Sequence, residues 1–381
     1  MSGRIRLLSQ REEFLAQYWQ RKPLYVPGAL PDFSAPLSPD ELAGLALDSD
    51  IESRLVDNSD GGWSVRHGPF EATDFQRPGP WTLLVQAVDH YLEPVTRLRD
   101  LVDFLPGWRI DDVMVSYATD GGSVGPHYDN YDVFLLQAKG RKQWRIGQTC
   151  DASSTLLPHD ELRILAQFDT RHEYTLAPGD LLYVPPGVAH WGTALGDSMT
   201  LSIGFRAPRL GDVLSRCVDA ALEEMDPDTF LTDAGRGAAD GGAIDPDDLE
   251  RAQRQVRRLL EQLPRSADWF GELLTEPRYE LQPLDGSAEE ELQALLAGAG
   301  PVVLEPAAKL AWLTGAQGIT VYANGRSLVC DARVLPPLQA LYRSRELQAD
   351  GWGELLACAD GRSLLHFLLE VGCIYVPRDT G

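Results

Sequence analysis

Three side chains in this 381-residue chain have the types and the spacing to bind a transition metal. In Gly125-Pro126-His127-Tyr128-Asp129 a histidine and an aspartate stand two residues apart. On an extended strand such residues project from the same face, so imidazole and carboxylate enter one space. A second histidine, His190, follows 61 residues after Asp129, where a strand at 181–184 runs into Pro185-Pro186-Gly187 and His190 opens the next strand. Two imidazoles and one carboxylate on one side of an ion leave the opposite positions open. That is the donor set of non-haem Fe(II) oxygenases, whose open positions receive an oxidisable co-substrate and dioxygen. An H-x-D pair alone is a weak signal; the strand-turn-histidine run in the same β-rich segment gives it weight.

Such a centre also needs a cation to hold an anionic co-substrate. Lys142, in Lys139-Gly140-Arg141-Lys142-Gln143-Trp144, lies 15 residues past His127, on the second strand after it. Its ammonium can pair with a distal carboxylate. With Arg141 and Arg145 beside it, an exposed strand lysine is an equal reading. The other histidines, His67, His90, His159, His172 and His366, have no ligand partner at the right spacing on a shared strand face, and read as surface or satisfied core residues. Gly121-Gly122-Ser123-Val124-Gly125 matches the G-x-S-x-G of serine hydrolases, but that motif needs a helix after the serine. Here Pro126 and a strand-like 127–134 follow.

The elements that must position these residues fall into three stretches. Near the N-terminus, Ser9 and Glu12 form a capping box ahead of Phe14, Leu15, Tyr18 and Trp19 at helical spacing; Pro23 ends that helix and 24–26 reads as a strand. From about 111 to 206, short β-rich runs at 113–117, 131–137, 143–146, 173–176, 181–184 and 199–205 alternate with Gly and Pro turns, the pattern of a sandwich or barrel. After Pro208 the chain turns helical, with Leu214, Val218, Ala221 and Leu222 on one face and Val256, Leu259, Leu260 and Leu263 on another. These two amphipathic helices need a covering surface, either a second copy or the barrel. From about Tyr279, helices at 289–296, 337–347 and 363–369 surround a hairpin signalled by Asn324-Gly325, a winged-helix-like pattern.

Composition narrows the partners. Lys plus Arg is 34 and Asp plus Glu is 57, a net charge of −23, and residues 280–381 alone carry 7 basic against 13 acidic side chains. Such a surface repels phosphate backbones, so direct nucleic-acid binding is not expected, and it attracts cationic partners. No run is long and apolar enough for a membrane span, and no apolar core follows Arg4 and Arg6. Five scattered cysteines form no C-x-x-C pair, which speaks against a disulfide framework or structural zinc. A cytoplasmic protein is expected.

Taken together, residues 14–24 (FLAQYWQRKPL), 124–134 (VGPHYDNYDVF), 140–145 (GRKQWR) and the Pro-Pro-Gly-Val-Ala-His run resemble the JmjC-type 2-oxoglutarate oxygenases, and among them the bacterial ribosomal oxygenases. The resemblance extends over most of the chain. It implies a mainly β fold with α: a double-stranded β-helix (cupin/JmjC) catalytic domain at 1–208, a helical dimerisation region at 209–277 and a winged-helix-like domain at 278–381. It implies Fe(II) on His127, Asp129 and His190, with 2-oxoglutarate and dioxygen as co-substrates. Lys142 would hold 2-oxoglutarate at a position where close relatives carry Arg, exchanging a bidentate fork for a point charge, and Ser116 would be a second contact. If Ser116 faces the iron, Asp112 and Met114, at i−4 and i−2, line the same side and suit a guanidinium and its methylene stem. Tyr131 and Ser202 are similar to further pocket positions. No catalytic side chain beyond the metal centre is required. The implied substrate is the β-carbon of an arginine in a basic large-subunit ribosomal protein, and the implied assembly is a homodimer. Two alternatives remain: an oxygenase for another basic protein (histidine or lysine hydroxylation, or demethylation), and a non-catalytic metal-binding cupin scaffold.

Overall fold

A computed structural model describes residues 11–59, 61–238, 241–261, 268–278, 286–297, 300–316, 318–356 and 358–377. Ser9 and Tyr279 lie outside them. The chain divides into two compact units, Met1–Ala207 and Pro208–Gly381. Among the described residues no helix is long and apolar enough to cross a membrane.

In the first unit, helix α1 (Arg11–Gln17) docks through Phe14, which is 2% exposed and meets the rings of Phe104, Phe134 and Tyr183. Burying a side chain of that size contributes roughly 1.5–3 kcal/mol, which is why so short a helix holds its place. Nine strands follow: β1 (Leu24–Val26), β2 (Ser53–Asp57), β3 (Ser64–His67), β4 (Trp81–Val85), β5 (Ile110–Ala118), β6 (Val133–Thr149), β7 (His172–Leu176), β8 (Leu181–Val184) and β9 (Val188–Phe205). Helices α2 (Pro39–Leu45) and α3 (Glu93–Thr96) punctuate the early strands. The sheet order is β1-β8-β6-β9-β5-β4-β2-β3, with β7 also on β6, and each of these pairings is antiparallel.

The spine of this unit is the β6–β9 ladder, which runs from Val133↔Gly204 to Thr149↔Val188. At one end β6 is flanked by β8, and at the other by β7. Sequence patterning divides this ladder into four short strands; the structure joins them into two long ones. The joints are bulges. Gly140 takes φ +62°, and a side chain there would strike the Asp197 carbonyl, so the strands bend without ending.

The second unit begins with α4 (Leu210–Glu224) and α5 (Pro246–Glu261), neither of which has a buried residue. The helix α6 (Asp268–Thr275) follows, tight enough on Tyr322 that Gly271 has no room for a side chain. Beyond it come α7 (Ala288–Leu296), β10 (Val302–Leu304), the meander β11 (Leu310–Gly315), β12 (Gly318–Ala323) and β13 (Arg326–Cys330), α8 (Leu335–Ser344), β14 (Glu346–Leu347), α9 (Ala349–Leu356), α10 (Ala359–Glu370) and β15 (Ile374–Tyr375). The Asn324-Gly325 signal is a two-residue hairpin: both residues have positive φ, and Ala323 pairs with Arg326. Leu292, Leu295, Ile319, Val321, Leu338, Leu341, Leu364 and Leu368 form one core.

Candidate metal centre

His127 and Asp129 lie in an extended segment that belongs to no strand, contrary to the strand expected for them. Pro126 has no N–H and Gly125 takes φ +84°, so a continuous ladder cannot form here. His127 instead makes a single antiparallel bridge with His190 of β9, exchanging both backbone hydrogen bonds at 3.1 and 2.8 Å. Directly opposed residues of an antiparallel pair present their side chains on one face, so the bridge sets the two imidazoles side by side, ring centroids 4.2 Å apart. Asp129, two residues on, joins the same face. Its carbonyl accepts the Gly187 N–H at 2.7 Å, tying it to the Pro-Pro-Gly turn.

The ligand atoms of His127, Asp129 and His190 lie within 4.8 Å of one another, and they form the one such cluster among the described residues. Nε2 of His190 is 3.6 Å from the Asp129 carboxylate and Nε2 of His127 is 3.9 Å from it. Both Nδ1 atoms face carbonyl oxygens at 3.0 Å, that of Gly125 for His127 and that of Val188 for His190. A carbonyl can only accept, so the proton sits on Nδ1 and the Nε2 lone pair is free for a metal. His190 is 3% exposed. Burial first, and then His127, push its pKa down to about 4, which keeps the imidazole neutral at neutral pH. Two imidazoles and a carboxylate on one side are a fitting donor set for Fe(II).

Lys142 and His190 share one face of the β6–β9 ladder. Lys142 pairs with Ala194, Trp144 with Gly192 and Ile146 with His190 in unbroken register. Lys142 is 5% exposed, which settles its placement against the exposed-lysine reading. It lies on the same continuous strand as Val133–Gln137, not on a separate one. Its Nζ stands 5.0 Å from the Trp144 ring centroid, no carboxylate among the described residues pairs with it, and burial pulls its pKa down to about 8.

Register places Met114 opposite Ser202 and Ser116 opposite Thr200. Ser202 in turn pairs with Leu135, which clusters with Val133, Trp144 and Ile146. These residues therefore share the interior face that carries Lys142. Asp112 sits at a bulge in β5 beside Gly204. Its buried carboxylate accepts from Gln86 Nε2 and Ala87 N, each at 2.9 Å. Tyr131 keeps 44% of its surface exposed, and its hydroxyl lies close enough to Asp129 to feel that carboxylate's charge. Burial and the charges of Asp129 and Asp112 raise its pKa strongly.

Sequence reading missed several residues that shape this site. Gly192 is one: a side chain there would meet the Trp144 ring at 2.9 Å and the Lys142 stem at 2.8 Å. Arg54, close enough to act electrostatically on Tyr131, is another. The buried Asp132 acts from outside the site, anchoring the segment that follows Asp129 by accepting from Tyr183, Gln20 and Arg109 at 2.6, 3.0 and 3.2 Å. Only Asp132 left a trace in the sequence, as part of the run that follows His127. The histidines set aside are occupied elsewhere: His67 meets Glu161, His159 meets the Trp63 carbonyl, and His172 stacks on Tyr174. Ser123 is 2% exposed on an extended segment, so the hydrolase motif fails on both access and context.

Comparison with known proteins adds independent findings. Residues 97–213 match the JmjC domain family and residues 258–375 match the ROXA-like winged helix family. The ribosomal protein uL16 3-hydroxylase of Escherichia coli K12 is 35% identical over 364 residues, covering 94% of this chain and 96% of that protein. The X-ray structure of E. coli YcfD superposes with a TM-score of 0.83 at 35% identity, covering 98% of this chain and all of that one. YcfD, described as a ribosomal oxygenase, in complex with cobalt and 2-oxoglutarate gives 0.81 at 34% identity, covering 98% and 99%. The expected fold, a JmjC β-barrel followed by a winged helix, is thereby established.

Proposed function

This chain belongs to the JmjC-domain ribosomal oxygenases, and on that footing we propose that it is an Fe(II)- and 2-oxoglutarate-dependent hydroxylase of an arginine β-carbon in a large-subunit ribosomal protein. The observation that carries this reading is the convergence of His127, Asp129 and His190 on one face, with buried Lys142 on that same ladder face.

Fe(II), when bound, supplies the redox chemistry that couples conversion of 2-oxoglutarate and dioxygen to succinate and carbon dioxide with oxygen insertion into a C–H bond. His127, Asp129 and His190 hold the ion. The Lys142 ammonium takes the distal carboxylate of 2-oxoglutarate, and its otherwise uncompensated burial is the electrostatic reason an anion is welcome there. Ser116, on β5 across β9 from the Lys142 strand, offers a hydroxyl to the same co-substrate. Asp112, Met114, Tyr131 and Ser202 receive the substrate arginine. No side chain need move a proton: the protein's part is to hold, orient and exclude water.

The partner is a basic ribosomal protein, drawn by the −23 charge. Nucleic acid is disfavoured by the same charge. The apolar faces of α4 and α5 carry Leu214 and Leu222 at 56% and Val256 at 54% exposure, and a second copy of the chain covers them in a homodimer. Cytoplasmic location follows from a ribosomal substrate.

The test is incubation with Fe(II), 2-oxoglutarate and large-subunit ribosomal peptides, read by mass spectrometry. One added oxygen on an arginine, lost in His127→Ala, is expected. Oxygen added only to histidine, or a methyl group lost, would redirect the substrate assignment. Succinate formation absent under all conditions would return the chain to the scaffold reading.

A further inference from the structure

Ser123 is the serine of the G-x-S-x-G run, and the mechanism above gives it no task. We infer that it is a positioning residue: its hydroxyl wedges open the strand pairing beside the metal site and so fixes the orientation of His127. The inference rests on the metal-centre reading and adds a residue to it.

The backbone pattern explains why a wedge is needed. The segment before His127 pairs with β9 at two points. At one end the Gly121 N–H reaches the Ala194 carbonyl and the Ala194 N–H reaches the Gly122 carbonyl, both at 3.0 Å; at the other, His127 and His190 exchange their two bonds. Between these points β9 has three residues, 191–193, and the facing segment has four, 123–126. The extra residue forces a bulge. In an unbroken ladder the Gly125 N–H would meet the Gly192 carbonyl. Here Ser123 Oγ stands between them, accepting from Gly125 N at 3.1 Å and donating to Gly192 O at 2.6 Å. Its second lone pair accepts the Trp191 indole N–H at 3.0 Å. One donor and two acceptor sites are thus all used, which a hydroxyl can do and a methyl or a weakly bonding thiol cannot.

The consequence reaches the metal ligand through one carbonyl. With its N–H taken by Ser123, Gly125 is held off the ladder and its carbonyl accepts His127 Nδ1–H at 3.0 Å. That bond sets the tautomer that presents Nε2 to the ion. The same hydroxyl fixes Gly192, the position that leaves room for the Lys142 stem and the Trp144 ring. Ser123 is not one of the three clustered ligand residues; it acts through Gly125 and Gly192.

The test uses the full chain with Co(II), measuring the dissociation constant, the ligand-field absorption spectrum and the thermal midpoint of Ser123→Ala and Ser123→Thr. Losing a group that orients a metal-ligating histidine weakens metal binding roughly 10–100-fold. We expect that loss and a changed spectrum in Ser123→Ala, and recovery toward wild type in Ser123→Thr, which keeps the hydroxyl. If Ser123→Ala does not fold, Ser123→Cys, close in volume but a weak donor and acceptor, takes its place with the same expectation. Nitrogen-15 spectra of the apo-protein add a metal-free readout: His127 is the Nδ1–H tautomer in wild type and a mixture in the variant. Wild-type affinity and spectrum in a folded Ser123→Ala or Ser123→Cys overturn the inference. Failure of the wild type to bind Co(II) would instead overturn the metal-centre reading itself.

Discussion

His127 and His190, 63 residues apart in sequence, are backbone partners: each donates its N–H to the other's carbonyl. Their main-chain pairing sets their imidazoles side by side, ring centroids 4.2 Å apart. The third ligand, Asp129, is fixed by a separate backbone bond from the Pro-Pro-Gly turn.

Co-substrate affinity will depend on alkaline pH. Burial pulls Lys142 down to about 8 in the free protein, and only the ammonium form can pair with a carboxylate. Binding is therefore flat below that value and weakens as pH rises through it, by up to about tenfold per unit, until pairing no longer matters. Anaerobic calorimetry of the Co(II) form with 2-oxoglutarate from pH 6.5 to 9.5 measures this. Lys142→Arg, which stays charged throughout, removes the slope; a slope that persists in that variant places the titration elsewhere.

Gly192→Ala separates the co-substrate clamp from the ion. The added methyl presses on Trp144 and the Lys142 stem, while His190, two residues away, keeps its bridge to His127. Affinity for 2-oxoglutarate falls by at least about tenfold, corresponding to roughly 1.4 kcal/mol, and Co(II) affinity changes less than threefold, about 0.6 kcal/mol on the same scale. Equal losses in both would contradict this division.

The exposed aliphatic side chains of α4 and α5, Leu214 and Val256 among them, predict assembly. Charging them in Leu214→Asp/Val256→Asp converts the dimer to monomer in light scattering at micromolar concentration, with the far-UV spectrum retained. Neither residue is buried in the single chain, so the fold has little to lose. A wild-type chain that is monomeric at the same concentration ends the homodimer reading.

Encounter with a cationic ribosomal protein will be salt-sensitive. A net charge of −23 produces a long-range attraction that ions screen within about 8–10 Å at 0.1–0.15 M. The association rate measured by stopped flow falls at least tenfold between low and high salt. An unchanged rate would show that the surface charge serves solubility alone.

How much was legible in the sequence follows from how local each signal is. The Asn324-Gly325 hairpin was readable because its turn type depends on two adjacent residues. The clustering of His127, Asp129 and His190, the proposed metal ligands, was readable because histidine and aspartate types and a Pro-Pro-Gly turn are conspicuous. The continuity of β6 and β9 was hidden, since Gly140 looks like a terminator and acts as a bulge. The setting of His127 was hidden for a related reason: H-x-D periodicity describes an extended chain without saying whether that chain has a ladder. Gly192 and Ser123 left no periodic trace, because their roles arise from what lies across the sheet, at Trp144 and at Gly125.

The unbroken stretch from Lys142↔Ala194 to Ile146↔His190 has an evolutionary and engineering corollary. Side chains alternate with a period of two, so a slip of β6 by one residue would turn Lys142 and Trp144 outward together, and a slip of β9 would do the same to His190 and Gly192. A single-residue insertion or deletion within this stretch therefore cannot adjust reach or spacing by degrees. Variation in co-substrate grip has to come from side-chain replacement at fixed length, which makes 142–146 and 190–194 intolerant of single-residue indels.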